Sequence, residues 1–334
     1  MDQPLRHSHH NSHLPSSFRD PSGFLFFRDY VLYRQICKSY QNDYELFMQS
    51  GLYSALVKEK LFVSHEEMHM EPADSSDAYK IIKPERIPFV SYPYEWSFGE
   101  LQDAALLTLE LQKRALGYGM SLKDASAYNV QFRGSKPIFI DTLSFERFEE
   151  GEPWVAYRQF CQHFLAPLAL MSYTDIHLSN LLQVYLDGIP LELASRLLPK
   201  RTFFRPSLML HIHAHARYQQ KYADSAMPRQ RTKGTVSRQR MDALIENLQQ
   251  AVLCLRPRAQ KTEWAGYYEA TNYSDAAFLK KKEIVERCVK EVQPKMVWDL
   301  GANTGVFSRV AADAGAYTIS FDIDPLAVEA QYQM

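Results

Sequence analysis

Hydrophobic and polar positions follow two periods along this chain, and each period predicts a different kind of element. Phe24-Leu-Phe-Phe and Val31-Leu-Tyr-Arg-Gln-Ile are short runs rich in aromatic and branched residues, with Arg28-Asp-Tyr between them. They predict two strands joined by a turn over residues 23–36. Residues 43–59 have helical spacing, and the run 87–96 is expected to begin as a strand and pass into a connector bearing Tyr92, Pro93 and Tyr94. Ser97, with Glu100 three residues later, forms a capping box. It opens a helix to about Gly117 with an apolar stripe at Leu101, Ala105, Leu109 and Ala115 or Leu116. Residues 154–186 predict two apolar helices with Tyr157, Phe160 and Phe164 on one face, and 187–190 and 198–201 are breaks. Residues 242–255 form another amphipathic pattern closed by Arg256-Pro257, and 276–292 a Lys-rich helix. Near the end come a strand at 296–298, a helix at 306–313 and a second strand at 317–321.

The last forty residues carry the most specific chemistry. The run 296–298 ends in Asp299, and Gly301 and Gly305 punctuate the loop that follows. Glycine is needed where backbone turns sharply or comes close to a ligand. The helix after the loop would offer free N–H donors at its start. The second strand ends in Asp322, where an acid can accept hydrogen bonds from ribose hydroxyls. Two ligand classes use this order of elements. Dinucleotide folds want Gly-x-Gly-x-x-Gly, and Asp299-x-Gly301-x-Asn303-x-Gly305 does not fit that pattern.

That run resembles the first motif of class I S-adenosylmethionine (SAM)-dependent methyltransferases, Asp/Glu-x-Gly-x-Gly-x-Gly, with Asn303 in place of the middle glycine. Phe321-Asp-Ile-Asp-Pro resembles that family's second motif. The resemblance implies SAM as cofactor, with Gly301, Ala302, Asn303 and Gly305 around its methionine part, Asp299 beneath the loop and Asp322 on the ribose. It implies the first β-α-β part of a Rossmann-like α/β domain over 263–334. Tyr267, Tyr268 or Tyr273 could cover the cofactor, or equally pack in a core. A complete domain of this kind needs more strands than the two visible here. The expectation is therefore a fragment that carries the SAM-loop half and does not methylate as it stands. The methyl acceptor and the catalytic residues facing it are unknown from the sequence.

A second constellation lies upstream. Asp124 and Asn129 stand in Asp-x-x-x-x-Asn, followed by a strand, the turn Arg133-Gly-Ser-Lys, and a strand leading to Asp141. This resembles the catalytic segment of protein-kinase-like and aminoglycoside-phosphotransferase-like folds. The resemblance implies an α+β kinase-like domain over 21–225, in which Asp124 would orient an acceptor hydroxyl while Asn129 and Asp141 held magnesium against the phosphates of ATP. The departures are several. No glycine-rich loop is present, Leu122-Lys123 replaces the usual His before the acid, Asp-Thr-Leu replaces Asp-Phe-Gly, and the strand cation is unassigned, with Lys80 and Arg34 as candidates. The plainer reading is a β-hairpin whose acids cap turns. The leading expectation is a two-domain SAM-dependent methyltransferase with a degenerate kinase-like domain. A phosphotransferase using ATP and magnesium, or a non-catalytic binding module, are the alternatives.

Composition narrows the partners. A formal net charge of −1 argues against general affinity for nucleic acid or membrane surfaces. The longest apolar run, near 164–171, is too short to span a bilayer. Four cysteines without Cys-x-x-Cys spacing read as reduced thiols, and with no leader visible the expectation is a cytoplasmic protein. His7, His9, His10 and His13 fall in a polar tail over 1–20 expected to be disordered, and residues 226–262 are expected to be a basic linker and a helix. Arg229, Arg231, Lys233, Arg238 and Arg240 give a short nucleic-acid patch as the other reading of that linker, without interleaved aromatics. His211 and His215 are one helical turn apart, a metal-capable spacing, but no third ligand is evident and no metal site is expected.

Overall fold

The aromatic runs near the start form the expected hairpin. β1 (Ser12–His13), β2 (Gly23–Arg28), β3 (Val31–Cys37), β4 (His65–Met68) and β5 (Ala78–Pro84) make an antiparallel sheet in the order β1-β2-β3-β5-β4. Asp29 and Tyr30, both at positive φ, close the β2–β3 turn. This computed structural model describes residues 12–14, 17, 20–217, 236–258 and 274–334. Within them the protein is mixed α/β. The tail histidines His7, His9 and His10, the side chain of His13, the aromatics Tyr267, Tyr268 and Tyr273, and Arg229, Arg231 and Lys233 lie outside the described residues.

Two expected elements in the first hundred residues differ. The single helix over 43–59 is two, α1 (Gln41–Gln49) and α2 (Leu52–Lys58), because Gly51 takes φ +89° and turns the chain between them. The run 87–96 is not a strand. The last strand of the sheet ends at Pro84, and Pro93 opens a 3-10 turn, Pro93–Glu95, instead.

The centre of the molecule is α3 (Phe98–Gly117), opened by the Ser97–Glu100 capping box. Its expected stripe is fully buried, and Leu107 and Leu111 are buried too, so the helix is enclosed on more than one side. Its Gln112 side chain accepts the Leu122 N–H at 2.6 Å and donates to the Ser121 hydroxyl, tying β6 (Met120–Leu122) to the helix. Two hairpins follow: β7 (Val130–Arg133) with β8 (Lys136–Phe139), and β9 (Phe145–Arg147) returning to β6. The apolar stretch after Trp154 is one helical rod with a widened π turn at Cys161–Leu165, continuing as α4 (Ala166–Tyr173). The widening precedes Pro167, which has no N–H to offer the carbonyl one turn back. α5 (Leu191–Leu197) and a second π turn at Met209–Ala214 complete this layer.

α6 (Arg238–Leu253) begins four residues ahead of the expected helix, capped by Ser237. Its Met241, Ile245, Leu248, Ala251 and Val252 join the same apolar core as α3. The C-terminal part is a β-α-β unit. α7 (Asp275–Val292) leads to β10 (Met296–Leu300), then α8 (Val306–Asp313), then β11 (Tyr317–Phe321), which pairs parallel to β10 with Met296 opposite Tyr317. α9 (Pro325–Tyr332) closes the chain and docks on α3. There Glu329 accepts the Gly99 N–H at 2.6 Å and the Tyr332 hydroxyl donates to Asp103 at 2.8 Å. Phe89 adds edge-on contacts to Trp298 and Phe321. Among the described residues no helix is long and apolar enough to cross a membrane.

Candidate functional site

The loop after β10 is shaped by backbone geometry. Gly301, Asn303 and Gly305 take φ of +79°, +52° and +72°, three left-handed positions in five residues. Asparagine tolerates that region better than most side chains, so the replacement of the middle glycine costs little. A Cβ on Gly301 would meet nothing within 4 Å, whereas one on Gly305 would lie 2.3 Å from the Gln331 amide carbon. Gly301 thus faces open space, and Gly305 permits the close approach of α9. The Gly301 and Ala302 N–H groups both donate to the Phe321 carbonyl, at 2.8 and 2.9 Å, and pin the loop to the end of β11.

The two acids hold the loop from either side. Asp299 accepts the Ser308 hydroxyl at 2.6 Å, which fixes the start of α8 under the loop. Asp322 accepts the Asn303 N–H on one oxygen at 2.7 Å and the Asp324 N–H on the other at 2.9 Å. A carboxylate has about four acceptor sites, so Asp322 retains capacity for two further donors. Gly301, Asn303, Asp299 and Asp322 line a cleft of about 740 Å³ with Lys281 and Phe307. That volume lies within the roughly 300–1,000 Å³ of small-molecule and cofactor sites. Ile323, at 90% exposure, stands at its edge.

The upstream acids also meet, in a different way. Asp124 accepts the Ser126 N–H at 2.9 Å and the Gln159 amide at 2.8 Å. Burial pushes its carboxyl above the usual carboxylate range, and the nearby Asp141 charge pushes in the same direction. Asn129 donates to the Ser144 hydroxyl at 3.1 Å, and Ser144 donates in turn to Asp141. The other Asp141 oxygen is taken by the guanidinium of Arg34, reaching across from β3. Tyr40, also buried, holds the turn around Asp141 by donating to the Phe145 carbonyl at 2.6 Å. Asp141 thus pairs with Arg34, one of the two candidate strand cations, and Asn129 donates to a serine. Lys80, the other candidate strand cation, pairs with Glu67 across the sheet at 2.8 Å.

His211 and His215 share no ligand site. The Tyr157 hydroxyl meets His211 Nδ1 at 2.7 Å and Asn247 meets its Nε2 at 2.7 Å, so both ring nitrogens are engaged. Among the described residues no group of three or more His, Cys, Asp or Glu could hold a metal. Sequence reasoning missed Gln159 and Ser144, which have no motif around them. It also missed a second cleft, against the other side of Asp322, lined by Tyr94, His177 and Asn180.

No family model matches the chain. The nodulation protein NoeA of Rhizobium meliloti (strain 1021) is 34% identical over 326 residues, which cover 95% of this chain and 67% of that protein. Among solved structures, vaccinia related kinase 3 is similar at a TM-score of 0.31 and 11% identity, with 84% of this chain and 86% of that chain covered. A likeness that slight carries no argument about fold or activity.

Proposed function

The chain belongs to the family of nodulation protein NoeA, and we propose that it is a class I SAM-dependent methyltransferase whose cofactor lies in the cleft at residues 301–305. The observation that carries this reading is the meeting of Asp322 with the loop at the ends of two parallel strands. Its carboxylate is oriented by the Asn303 and Asp324 N–H groups and still has acceptor capacity for a ribose diol. SAM, when bound, supplies a methyl group on an electrophilic sulfonium. What the residues of this chain do is position. The left-handed turn at Gly301 leaves backbone open to the methionine part, Asp299 and Ser308 hold the loop to α8, and Ile323 offers apolar surface beside Asp322. Catalysis of this kind rests on orientation and exclusion of water more than on proton transfer.

For the N-terminal unit we read a kinase-like plan without phosphotransfer. The sheet, the hairpin bearing the acids and the helical layer support the plan. The Arg34–Asp141 pair supports the loss of chemistry, because a guanidinium stands where a magnesium ion would have to bind.

Calorimetric titration of the whole chain with SAM tests the first reading, with NADH as the competing dinucleotide. SAM is expected to bind and NADH not to, and Asp322→Ala is expected to weaken SAM at least about tenfold, the worth of a hydrogen bond to a charged group. Absence of SAM binding, preference for NADH, or an Asp322→Ala affinity equal to wild type would each sink it.

A further inference from the structure

α9 is held on two sides, and on each side it meets a glycine. One side faces the loop after β10. A Cβ on Gly305 would lie 2.3 Å from the Gln331 amide carbon, and that amide donates to the Ser320 hydroxyl of β11 at 2.6 Å. The other side faces the first turn of α3. A Cβ on Gly99 would lie 2.7 Å from the Tyr332 ring and 2.7 Å from the Gln333 amide nitrogen. Approaches this close need a residue without a side chain. A helix of 8 residues thus bridges the cofactor loop and the N-terminal unit with no slack on either side.

The polar contacts fix the docked position. Glu329 is buried and accepts the Gly99 N–H, a donor that the first turn of a helix leaves without an intrahelical partner. The Tyr332 hydroxyl lies 2.8 Å from an Asp103 oxygen and 3.1 Å from the Ser135 carbonyl, and its ring meets Phe132 edge-on. α9 therefore touches both α3 and the β7–β8 hairpin. Charge works against this docking. Burial raises the Glu100 carboxyl above its usual range, and the Glu329 and Asp103 charges push it the same way. Hydrogen bonds favour the docked helix while like charges oppose it, so docked and released states lie closer in energy than an all-apolar contact would set them.

We propose that α9 is a two-sided clasp through which the N-terminal unit sets the affinity of the cofactor loop. Docked on α3, α9 holds the turn at Gly305 and the end of β11 in the binding arrangement. Released from α3, it lets the loop open. The ligand in this proposal rests on the methyltransferase reading above, whereas the mechanical link stands on the two glycine contacts. Glu329 and Tyr332 are then positioning residues that touch no ligand. The N-terminal unit gains a task that needs neither ATP nor magnesium. Coupling of this kind is reciprocal, so the cofactor in turn tightens the docking of α9.

The test uses the whole chain. Amide hydrogen exchange is read by mass spectrometry over 301–305 and 326–333, with 160–173 as the control, beside calorimetric titration with SAM. Gly99→Ala wedges α9 away from α3, and alanine favours a helix more than glycine does, so α3 itself is not weakened. Glu329→Ala removes the acceptor of the Gly99 N–H, whereas Glu329→Gln keeps an acceptor and removes the charge. Gly99→Ala and Glu329→Ala are each expected to speed exchange over both segments about tenfold and to weaken SAM about tenfold, the usual effect of losing a hydrogen bond to a charged group. Both should leave 160–173 as in wild type. Glu329→Gln is expected to stay within about twofold of wild type, because relief of repulsion offsets the weaker bond. SAM is expected to slow exchange over 326–333 in wild type. The inference is overturned if 326–333 loosens while either 301–305 or SAM affinity matches wild type, if neither variant changes any segment, or if 160–173 loosens as much as the others. Should wild type bind no SAM, the methyltransferase reading fails, and exchange over 301–305 alone decides whether the clasp exists.

Discussion

The two clusters of acids show how the same side chain becomes structural in one place and available in another. Asp141 and Asp322 each follow a strand and each accept a hydrogen bond from a nearby residue. Asp141 also holds the Arg34 guanidinium, within a shell where the Asp141 side chain is 14% exposed and that of Arg34 is 12%. Asp322 is met by backbone N–H groups alone and opens onto two cavities. An oxygen already paired with a fixed cation is poorly placed to take a second cation. An oxygen oriented by peptide donors has orientation and capacity together. The surroundings follow the same division. α3 is enclosed by the main core, whereas α7 has no buried residue and Trp298 and Leu300 on β10 are 60% and 74% exposed.

Truncating a side chain in the enclosed region should have the largest effect. Phe160 is fully buried and packs on Trp154 and Phe164. Phe160→Ala should cost about 4 kcal/mol, the usual range for emptying an aromatic site, read as a lower urea midpoint by circular dichroism. A shift no larger than that of a surface variant would mean that this region is not the stable half.

The internal ion pair comes next. Arg34→Met leaves the largely enclosed Asp141 without its counter-charge and should cost about 3 kcal/mol. Arg34→Met combined with Asp141→Leu should recover most of that loss, because removing both partners of a buried pair is often neutral. The comparison breaks if the double variant is as unstable as the single one. The loss would then come from the packing of the arginine stem and not from charge.

How far each region could be read in advance follows from how local it is. Asp299, Gly301, Asn303, Gly305 and Asp322 lie within one β-α-β unit, so a resemblance to two short motifs was enough to pick them out together. Asp124, Asn129 and Asp141 were also legible as a set, since one hairpin brings them together. Arg34 could be named beforehand only as one of two candidate strand cations, because it is 107 residues from Asp141 and only the fold sets β3 beside that turn. The crevice at His177 and Asn180 was hidden for the same reason. It forms only because Glu329 and Tyr332 of α9 bond to α3 and set the two units edge to edge. Within single elements the misses were local too: a left-handed glycine at Gly51 split one helix, and a strand expected at 87–96 was replaced by the 3-10 turn at Pro93.

Acid should separate the two regions as well. His163 lies in the enclosed part, 1% exposed, and its Nδ1 has no hydrogen-bond partner. Burial lowers its pKa to about 4 from 6.5. The unfolded chain therefore takes up a proton below about pH 6.5 while the folded chain does not until about 4. Stability should fall as pH drops through that window, by up to about 3 kcal/mol from this group. His163→Leu should match or slightly exceed wild type near pH 7, since an unpartnered buried polar atom is removed. It should be clearly more stable than wild type at pH 4.5. Equal acid sensitivity in the two proteins would show that His163 is already charged in the folded state.

The smallest effect is expected at the exposed face of β10. Leu300 is the last residue of that strand and pairs with Phe321, yet its side chain is 74% exposed. Serine there removes apolar surface that already meets water, so Leu300→Ser should change stability by less than about 0.5 kcal/mol. Leu300 also lines the cleft at residues 301–305. Loss of SAM affinity without loss of stability would therefore mark Leu300 as part of the ligand's wall. A cost of about 2 kcal/mol or more would instead mean that the side chain is buried in solution. The contrast between an enclosed and an open half would then hold only for the two acids, and not for the packing around them.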